Sequence, residues 1–140
     1  MLGLVLVFLL GCAAALADEA TLTAFAKQQR LKDVQGFVET VTVLRETGKL
    51  PDRYVTKNQA RRLGWEPGED LCDAAPGHSI GGDKFGNFEK RLPNHRGRVW
   101  READLDFACG RRGAKRLLWS NDGLMMITVD HYETFTEVPK

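Results

Sequence analysis

Several features that would indicate a function are missing from this chain. The formal net charge is only +1, so overall charge does not point to a nucleic-acid partner. There are only three cysteines, and one of them, Cys12, lies just after the N-terminal apolar run. The other two do not make a zinc site without a second pair, so we expect no metal and no cofactor. No internal repeat or low-complexity segment occurs. The one long apolar run, Leu2–Leu10, is too short to span a bilayer as a helix.

The rest of the composition is that of a folded globular protein. A chain of 140 residues is expected to form one domain. Its hydrophobic share of 43% and aromatic share of 9% are ordinary for a protein with an apolar core. A domain of this size can bury enough surface to fold without metals or many disulfides.

The N-terminal residues have the pattern of an export signal. The apolar run is followed by Ala15-Leu16-Ala17, which fits the small-x-small pattern of a cleavage site. We therefore predict a signal peptide over residues 1–17 and a secreted protein that has no stable membrane association after cleavage. No Lys or Arg precedes the run, which is atypical of such a signal. The segment that ends in Cys12 also resembles a lipobox, so lipid anchoring through Cys12 is the alternative.

Cleavage would remove Cys12 and leave Cys72 and Cys109. An even number of cysteines in an oxidising compartment indicates a disulfide. The closed loop would be long, and chain entropy then predicts a stabilisation of roughly 4 kcal/mol. Two free buried thiols are the alternative at this point.

Charge is distributed unevenly along the chain. Residues 90–116 contain nine Lys or Arg against three Asp or Glu, whereas residues 18–89 contain ten basic and twelve acidic residues. Segregation of this kind is expected when one face of a protein meets a polyanion. It is also expected of a basic face that only water covers, and charge alone does not decide between the two.

The first half of the chain has helical patterns. Apolar residues recur at helical spacing from Phe37 to Leu44, and Gly48 stands where a left-handed cap would end the helix, which predicts a helix over residues 34–47. Thr56 is a good N-cap for a second helix that runs through Arg62. Residues 18–33 are predicted to be an N-terminal extension or a first helix, and residues 34–140 the main domain.

The second half has the patterns of strands. A hairpin turn is predicted at residues 121–123, and a short last strand is predicted within Tyr132–Glu137. The other predicted strands are Ser79–Lys84, Arg98–Leu105, Lys115–Ser120 and Leu124–Asp130. Helices first and antiparallel strands afterwards are typical of the α+β class, with N-terminal helices packed on a C-terminal antiparallel sheet.

Four segments of the sequence carry a resemblance to a known family. They are Leu50–Lys57, Ala75–Asp83, Arg98–Asp104 and Thr128–Phe135. In residue type, order and spacing they resemble the barnase family of guanyl-preferring microbial ribonucleases, and the resemblance covers about Lys32 to the C-terminus. It implies the microbial ribonuclease fold and a secreted endoribonuclease that cleaves single-stranded RNA 3′ of guanosine.

Two residues would carry the proton transfers of that reaction. The resemblance implies that Glu102 is the general base and His131 the general acid. Cleavage would pass through a 2′,3′-cyclic phosphate that water then opens with the two roles exchanged. An imidazole that titrates near neutrality suits a group that must be protonated in one step and neutral in the next.

Cations and a recognition loop complete the site that the resemblance implies. Arg112, Arg116 and Lys57 would bind the scissile phosphate, and Asp83 would pair with Lys57 and orient it. The residues implied for substrate binding are Phe85, which would pack beside the guanine ring, the backbone N–H groups of Asn87 and Phe88, the carboxylate of Glu89, and Tyr132.

The chain departs from the family pattern at two positions. Phe88 stands where relatives typically carry arginine, which removes a cation from the rim of the site. Lys115 stands beside Arg116 in place of an acidic residue, so we expect Arg116 to have no carboxylate partner.

The enzyme is one of three functions considered. A non-catalytic secreted binder of RNA or another polyanion would use the basic residues alone, and it would need neither Glu102 nor His131. A toxin whose chief partner is a dedicated inhibitor is the third. For the enzyme we expect guanine-containing single-stranded RNA as the partner, a monomeric state, and an acidic intracellular inhibitor as a plausible second partner.

Overall fold

The computed structural model describes residues 18–140. The predicted signal peptide and its lipobox alternative lie outside these residues. The helices are α1 (residues 18–28), α2 (Val34–Thr47), α3 (Lys57–Arg62) and α4 (Leu71–Ala74). The strands are β1 (Tyr54–Val55), β2 (Ser79–Phe85), β3 (Trp100–Asp104), β4 (Arg116–Ser120), β5 (Met125–Thr128) and β6 (Thr136–Glu137).

Capping side chains set the ends of the two predicted helices. The Asp33 carboxylate accepts a hydrogen bond from the Gly36 N–H and begins α2. Gly48 ends it with a left-handed φ of 75°, a conformation that glycine adopts at little cost. Thr56 and Gln59 form a reciprocal capping box at the start of α3. The predicted bounds of both helices are confirmed.

The strands form one six-stranded sheet in the order β1-β2-β3-β4-β5-β6. Every neighbouring pair from β2 to β6 is antiparallel, and β1 pairs with β2 in parallel. The predicted α+β class is confirmed. The parallel pair was not predicted, because β1 is only two residues long and shows no alternation of polar and apolar side chains.

The last predicted strand is shorter than expected. Only Thr136–Glu137 pairs with β5, although the prediction extended from Tyr132. The Asp130 carboxylate accepts hydrogen bonds from Thr128 and from both the N–H and the hydroxyl of Thr134. These bonds hold the chain between β5 and β6 in a tight loop, so it cannot be extended there.

The sheet has a helix-covered face and an opposite face. Leu117 and Ile127, which are neighbours across β4 and β5, belong to the core under α1 and α2. The rings of Phe25 in α1 and Phe37 in α2 lie 5.9 Å apart in this core. Residues 18–33 were predicted as an N-terminal extension or a first helix; they contain helix α1 and are part of the main hydrophobic core.

Alternation along the strands gives the opposite face a separate cluster. Trp100 on β3 and Leu118 on β4 pack with Leu92 there. Glu102 lies two residues beyond Trp100 and opposite Leu118, so its side chain shares their face. The same alternation directs Arg101 to the helix side of the sheet.

A disulfide joins Cys72 in α4 to Cys109 in the loop after β3, with a Cα–Cα distance of 5.6 Å. The predicted pairing is confirmed. Asp70 lies beside these sulfurs, but both sulfurs are bonded to each other, so this cluster is not a metal site. Among residues 18–140, no helix is long and apolar enough to cross a bilayer.

The disulfide predicts a measurable share of the stability. It closes a loop with a sequence separation of 37 residues, so the Cys72→Ala/Cys109→Ala variant should lose about 4 kcal/mol of unfolding free energy. Urea denaturation of both proteins measures the difference. Dithiothreitol should destabilise the parent by a similar amount and leave the double variant unchanged. Equal urea midpoints for parent and variant would show that the bond does not stabilise the fold.

Candidate active site

Glu102 is a buried carboxylate near the middle of the sheet, with 8% of its surface exposed. The Tyr132 hydroxyl donates a hydrogen bond of 3.0 Å to its Oε2 atom. Burial raises the pKa of Glu102 above its ordinary value, although this hydrogen bond and the charges of Lys57, Arg116 and Arg112 act to lower it. The carboxylate is therefore a stronger base than an exposed glutamate.

Asp104 holds two of the predicted phosphate-binding cations in place. It lies two residues after Glu102 on the same face of β3 and is 3% exposed. Arg112 contacts its two carboxylate oxygens through Nε and Nη2, at 2.7 Å each, and Arg116 Nε lies 3.0 Å from Oδ1. The hydrogen bond to Asp104 raises the pKa of Arg112. One buried carboxylate thus fixes both guanidinium groups beside Glu102.

The role of Asp104 was missed in the sequence. Its position two residues from Glu102 on a strand was the available signal, because it put both carboxylates on one face. The expectation that Lys115 leaves Arg116 without a carboxylate partner is wrong. Lys115 instead forms an ion pair of 2.7 Å with Asp106. Lys115 immediately precedes β4, whereas Arg116 is the first residue of β4 and lies opposite Asp104, so the two cations have different carboxylate partners.

Asp83 contacts Lys57, but not in the predicted way. The Asp83 carboxylate accepts a hydrogen bond of 3.0 Å from the backbone N–H of Lys57, at the first residue of α3. The described residues show no ion pair between this carboxylate and the Lys57 ammonium. Asp83 lies directly opposite Glu102 across β2 and β3, so it fixes the start of α3 beside Glu102.

His131 and Tyr132 lie in the tight loop after β5. Both have left-handed φ angles, 54° and 71°, which cost a non-glycine residue about 1 kcal/mol or more each. The His131 N–H donates to the Ala114 carbonyl, and the Tyr132 N–H donates to Thr128 Oγ1. Hydrogen bonds from Thr134 lower the pKa of Asp130 to about 2, so this carboxylate stays ionised and holds the loop over the physiological pH range.

Tyr132 brings the predicted base and acid to one place. Its hydroxyl contacts Glu102 and accepts a hydrogen bond of 3.1 Å from Arg116 Nε. Its ring centroid lies 4.8 Å from that of His131, whose side chain is exposed. Tyr132 therefore connects the buried carboxylate and Arg116 to the loop whose imidazole lies on the surface.

The predicted recognition residues line a cavity of about 150 Å³ next to that surface. Its lining residues are Phe85, Asn87, Phe88, Glu89, Arg91, Tyr132 and Phe135. The Phe85 and Tyr132 rings are stacked, with centroids 5.0 Å apart. Tyr132 is thus shared between this cavity and the Glu102 site.

The loop that borders the cavity is held by its own side chains. Asn87 has a left-handed φ of 51°, and its amide bonds to both the N–H and the carbonyl of Leu92. Arg91, which was not predicted, forms an ion pair of 2.9 Å with Glu89 and donates to the Tyr132 carbonyl. Arg91 therefore joins the recognition loop to the loop of His131. Phe88 is 93% exposed at the rim.

Comparison with known proteins identifies the family. A protein-family model for ribonuclease matches residues 38–139. The chain belongs to the ribonuclease family. A ribonuclease from Bacillus intermedius is 43% identical over 122 residues, which are 86% of this chain and 75% of that protein. A ribonuclease from Heyndrickxia coagulans is 52% identical over 91 residues, which are 64% of this chain and 84% of that protein.

The match to a third relative covers a smaller share of that relative's length. A ribonuclease from Bacillus pumilus is 53% identical over 91 residues, which are 64% of this chain and 56% of that protein. Ribonuclease Sa2, solved with guanosine-2′-cyclophosphate, is 26% identical and covers 66% of this chain and 89% of its own, with a TM-score of 0.37. That structural overlap is too low to support an argument. Family membership and the relatives support endoribonuclease activity, and the resemblance drawn from the sequence is confirmed.

The hydrogen bond from the Tyr132 hydroxyl to Glu102 should affect how the cleavage rate depends on pH. Glu102 can accept a proton only above its pKa, which burial already raises. Tyr132→Phe removes the hydrogen bond that lowers this pKa, so the acidic limb of kcat/KM should move to higher pH. The loss of rate at neutral pH should stay within about tenfold, the worth of one hydrogen bond. The pH–rate profile for the dinucleotide GpA measures both effects.

The chain offers a matched control for this variant. It has only two tyrosines, and the hydroxyl of the other, Tyr54, donates to the Asp104 backbone carbonyl rather than to Glu102. Tyr54→Phe should leave the acidic limb where it is. If the limb of Tyr132→Phe stays in place or moves to lower pH, Tyr132 does not tune the base.

Proposed function

We propose that this ribonuclease cleaves single-stranded RNA on the 3′ side of guanosine, through a 2′,3′-cyclic phosphate. The observation that carries the proposal is the position of Tyr132, whose hydroxyl binds Glu102 and whose ring lies against His131. Tyr132 thus connects the proposed base to the loop of the proposed acid, and Asp104 holds two guanidinium groups beside the base. Cleavage by this route needs a base, an acid and cations at the phosphate, and these side chains supply all three.

The first step transfers the phosphoryl group from the 5′-oxygen of the next nucleotide to the neighbouring ribose 2′-oxygen. Glu102 removes the proton of the ribose 2′-hydroxyl, and the 2′-oxygen attacks the neighbouring phosphorus. The bond from phosphorus to the 5′-oxygen breaks, and protonated His131 gives its proton to that oxygen. In the second step neutral His131 takes a proton from water, the water oxygen opens the cyclic phosphate, and Glu102 returns its proton to the 2′-oxygen.

Arg112 and Arg116 stabilise the charge that develops on the phosphate oxygens. A guanidinium presents several N–H groups in a plane, a geometry that matches phosphate oxygens. Asp104 already orients both side chains, so they do not have to be ordered during the reaction. Loss of one preorganised donor commonly costs about 3 kcal/mol in the transition state. Lys57 adds a third positive charge from the start of α3.

The nucleophile restricts the substrate to RNA. The attacking oxygen is the 2′-hydroxyl of the substrate itself, and DNA lacks it. DNA of the same sequence therefore binds as an inhibitor rather than as a substrate.

Guanine recognition would use the cavity beside Tyr132. The Glu89 carboxylate can accept hydrogen bonds from N1–H and N2–H of guanine, whereas adenine has an acceptor at N1. The N–H groups of Asn87 and Phe88 can donate to O6, since within residues 18–140 neither N–H donates to another protein group. The stacked Phe85 and Tyr132 rings supply a flat apolar wall for the base.

The cellular setting extends the proposal. The signal-like residues 1–17 favour a secreted enzyme, and a ribonuclease made inside a cell before export would need an acidic inhibitor there. We propose that the secreted enzyme acts as a monomer. A binder without catalytic activity would not need a buried base next to an imidazole, so that alternative is disfavoured.

The reaction can be tested with dinucleotides in EDTA. The parent should cleave GpA faster than ApA and release guanosine 2′,3′-cyclic phosphate first and guanosine 3′-phosphate later. Glu102→Ala and His131→Ala should each lower kcat/KM by about two to four orders of magnitude. His95→Ala is the matched control, because His95 is exposed and is not among the residues that line the cavity beside Tyr132, and it should cleave at the parental rate. Parental rates for Glu102→Ala and His131→Ala would refute the assigned roles.

A further inference from the structure

A large opening on the helix-covered face of the sheet has no role in the proposed reaction. It is a groove of about 620 Å³ between the C-terminal end of α2 and the ends of β2 to β5. A second cavity of about 580 Å³ shares Gly48, Arg101 and Trp119 with it, so the two are adjacent. We call the two cavities together the basic groove.

The floor of the basic groove is a row of neighbours across the strands. Lys84 on β2 pairs with Arg101 on β3, and Arg101 pairs with Trp119 on β4. Glu102 follows Arg101 directly, so the row lies on the face of the sheet opposite the catalytic carboxylate. The basic groove is therefore a separate site.

The lining of the groove is positively charged. The part beside the strands is lined by Arg45, Lys84 and Arg101 and by no acidic residue among those that the structure describes. The neighbouring part adds Lys49 and Asp52. Asp122, at the nearby hairpin, is paired with Arg98 at 2.8 Å, so its charge is compensated.

These cations remain able to bind an anion. The Lys84 ammonium has no ion pair or hydrogen bond within residues 18–140, and Arg101 uses one Nη1 donor on the Gly82 carbonyl. The C-terminal end of a helix carries partial negative charge, so the α2 wall is the less favourable side for a phosphate. Phosphates would bind along the strand wall, at Lys84 and Arg101.

Trp119 adds an aromatic surface to the same row. It is half-buried and packs one side against the helix core. No protein group within residues 18–140 accepts from its indole N–H, and no side-chain nitrogen there is both buried and unpaired, so this N–H is accessible to solvent. Trp119 also lines the groove. An aromatic ring beside cations in a groove is an arrangement that binds single-stranded nucleic acid without sequence preference.

The groove lies at the end of the sheet that carries the recognition loop. Lys84 is followed by Phe85, which stacks on Tyr132 in the cavity of about 150 Å³ on the other face. A strand with one base in that cavity needs only to pass the end of β2 to reach the groove.

We propose that the basic groove is a second binding site for single-stranded RNA. It holds nucleotides that flank the cleaved position, with phosphates on Lys84 and Arg101 and a base stacked on Trp119. The site requires ribonuclease activity of the chain, which the family supports, and does not depend on a preference for guanine.

Tryptophan fluorescence gives a direct test. The chain has three tryptophans, and Trp65 and Trp100 are only 2% and 3% exposed, so Trp119 is the one that a ligand can reach. An oligodeoxyadenylate of about ten nucleotides, which the enzyme cannot cleave, should quench the fluorescence. The mononucleotide 3′-GMP should bind without this quenching. In Trp119→Phe the quenching by the oligonucleotide should be lost.

Charge variants test the phosphate contacts independently of Trp119. Lys84→Gln/Arg101→Gln should weaken oligonucleotide binding roughly tenfold and reduce the slope of log affinity against log salt by about 1.4, since each single-strand phosphate contact contributes about 0.7. Arg62→Gln on α3, which also removes an exposed charge, should bind like the parent. The GpA cleavage rate should change less than about twofold in both variants, because a dinucleotide does not reach the groove.

The outcomes separate this proposal from the proposed reaction. Cleavage of GpA by the parent tests the reaction alone, whatever happens at the groove. Quenching that persists in Trp119→Phe would overturn the proposal, and so would a double variant that binds like Arg62→Gln. If polyglutamate quenches Trp119 as strongly as the oligonucleotide at equal charge, the groove binds polyanions in general and the assignment to RNA is wrong.

Discussion

The whole site depends on the buried Asp104 carboxylate and its ion pairs with Arg112 and Arg116. Two arginines that approach each other without a counter-charge would repel, and a buried carboxylate without partners would be strongly destabilising. Together the three groups satisfy one another and fix both guanidinium groups beside Glu102. The Asp104 backbone carbonyl also accepts from Tyr54, which joins the end of β3 to β1. Stability of the sheet edge and readiness of the site thus share one residue.

The protein keeps several unfavourable features at this place, and neighbouring hydrogen bonds hold each of them. Glu102 is buried and ionisable, and Tyr132 and the nearby cations offset part of the cost of its charge. His131 and Tyr132 keep left-handed backbone angles because Asp130, Thr128 and the Ala114 carbonyl hold their loop. Strain that clusters in this way is typical of functional sites. The alternation of side chains along β3 then separates this site from the basic groove on the other face.

Much of the fold could be predicted from local patterns, whereas the side-chain partners could not. Helix α2 and the hairpin between β4 and β5 follow from apolar spacing and from capping and turn residues, which act within a few positions of the chain. The pairing of Asp104 with Arg116 and of Lys115 with Asp106 depends on which strands are neighbours and in which register. The charges in the sequence allow several different ion pairs, and the prediction that Arg116 has no carboxylate partner was wrong. Glu102 and His131 were predicted as base and acid from the family resemblance, and in the structure Tyr132 contacts both of them.

We propose that Asp104 preorganises the two guanidinium groups that stabilise the transition state. Asp104→Asn keeps the shape of the side chain and removes the charge that holds Arg112 and Arg116. The direct measurement is kcat for GpA cleavage, in conditions where circular dichroism shows the variant to be folded. We expect kcat to fall about a hundredfold or more, with a smaller change in KM. A folded Asp104→Asn protein that retains the parental kcat would contradict it.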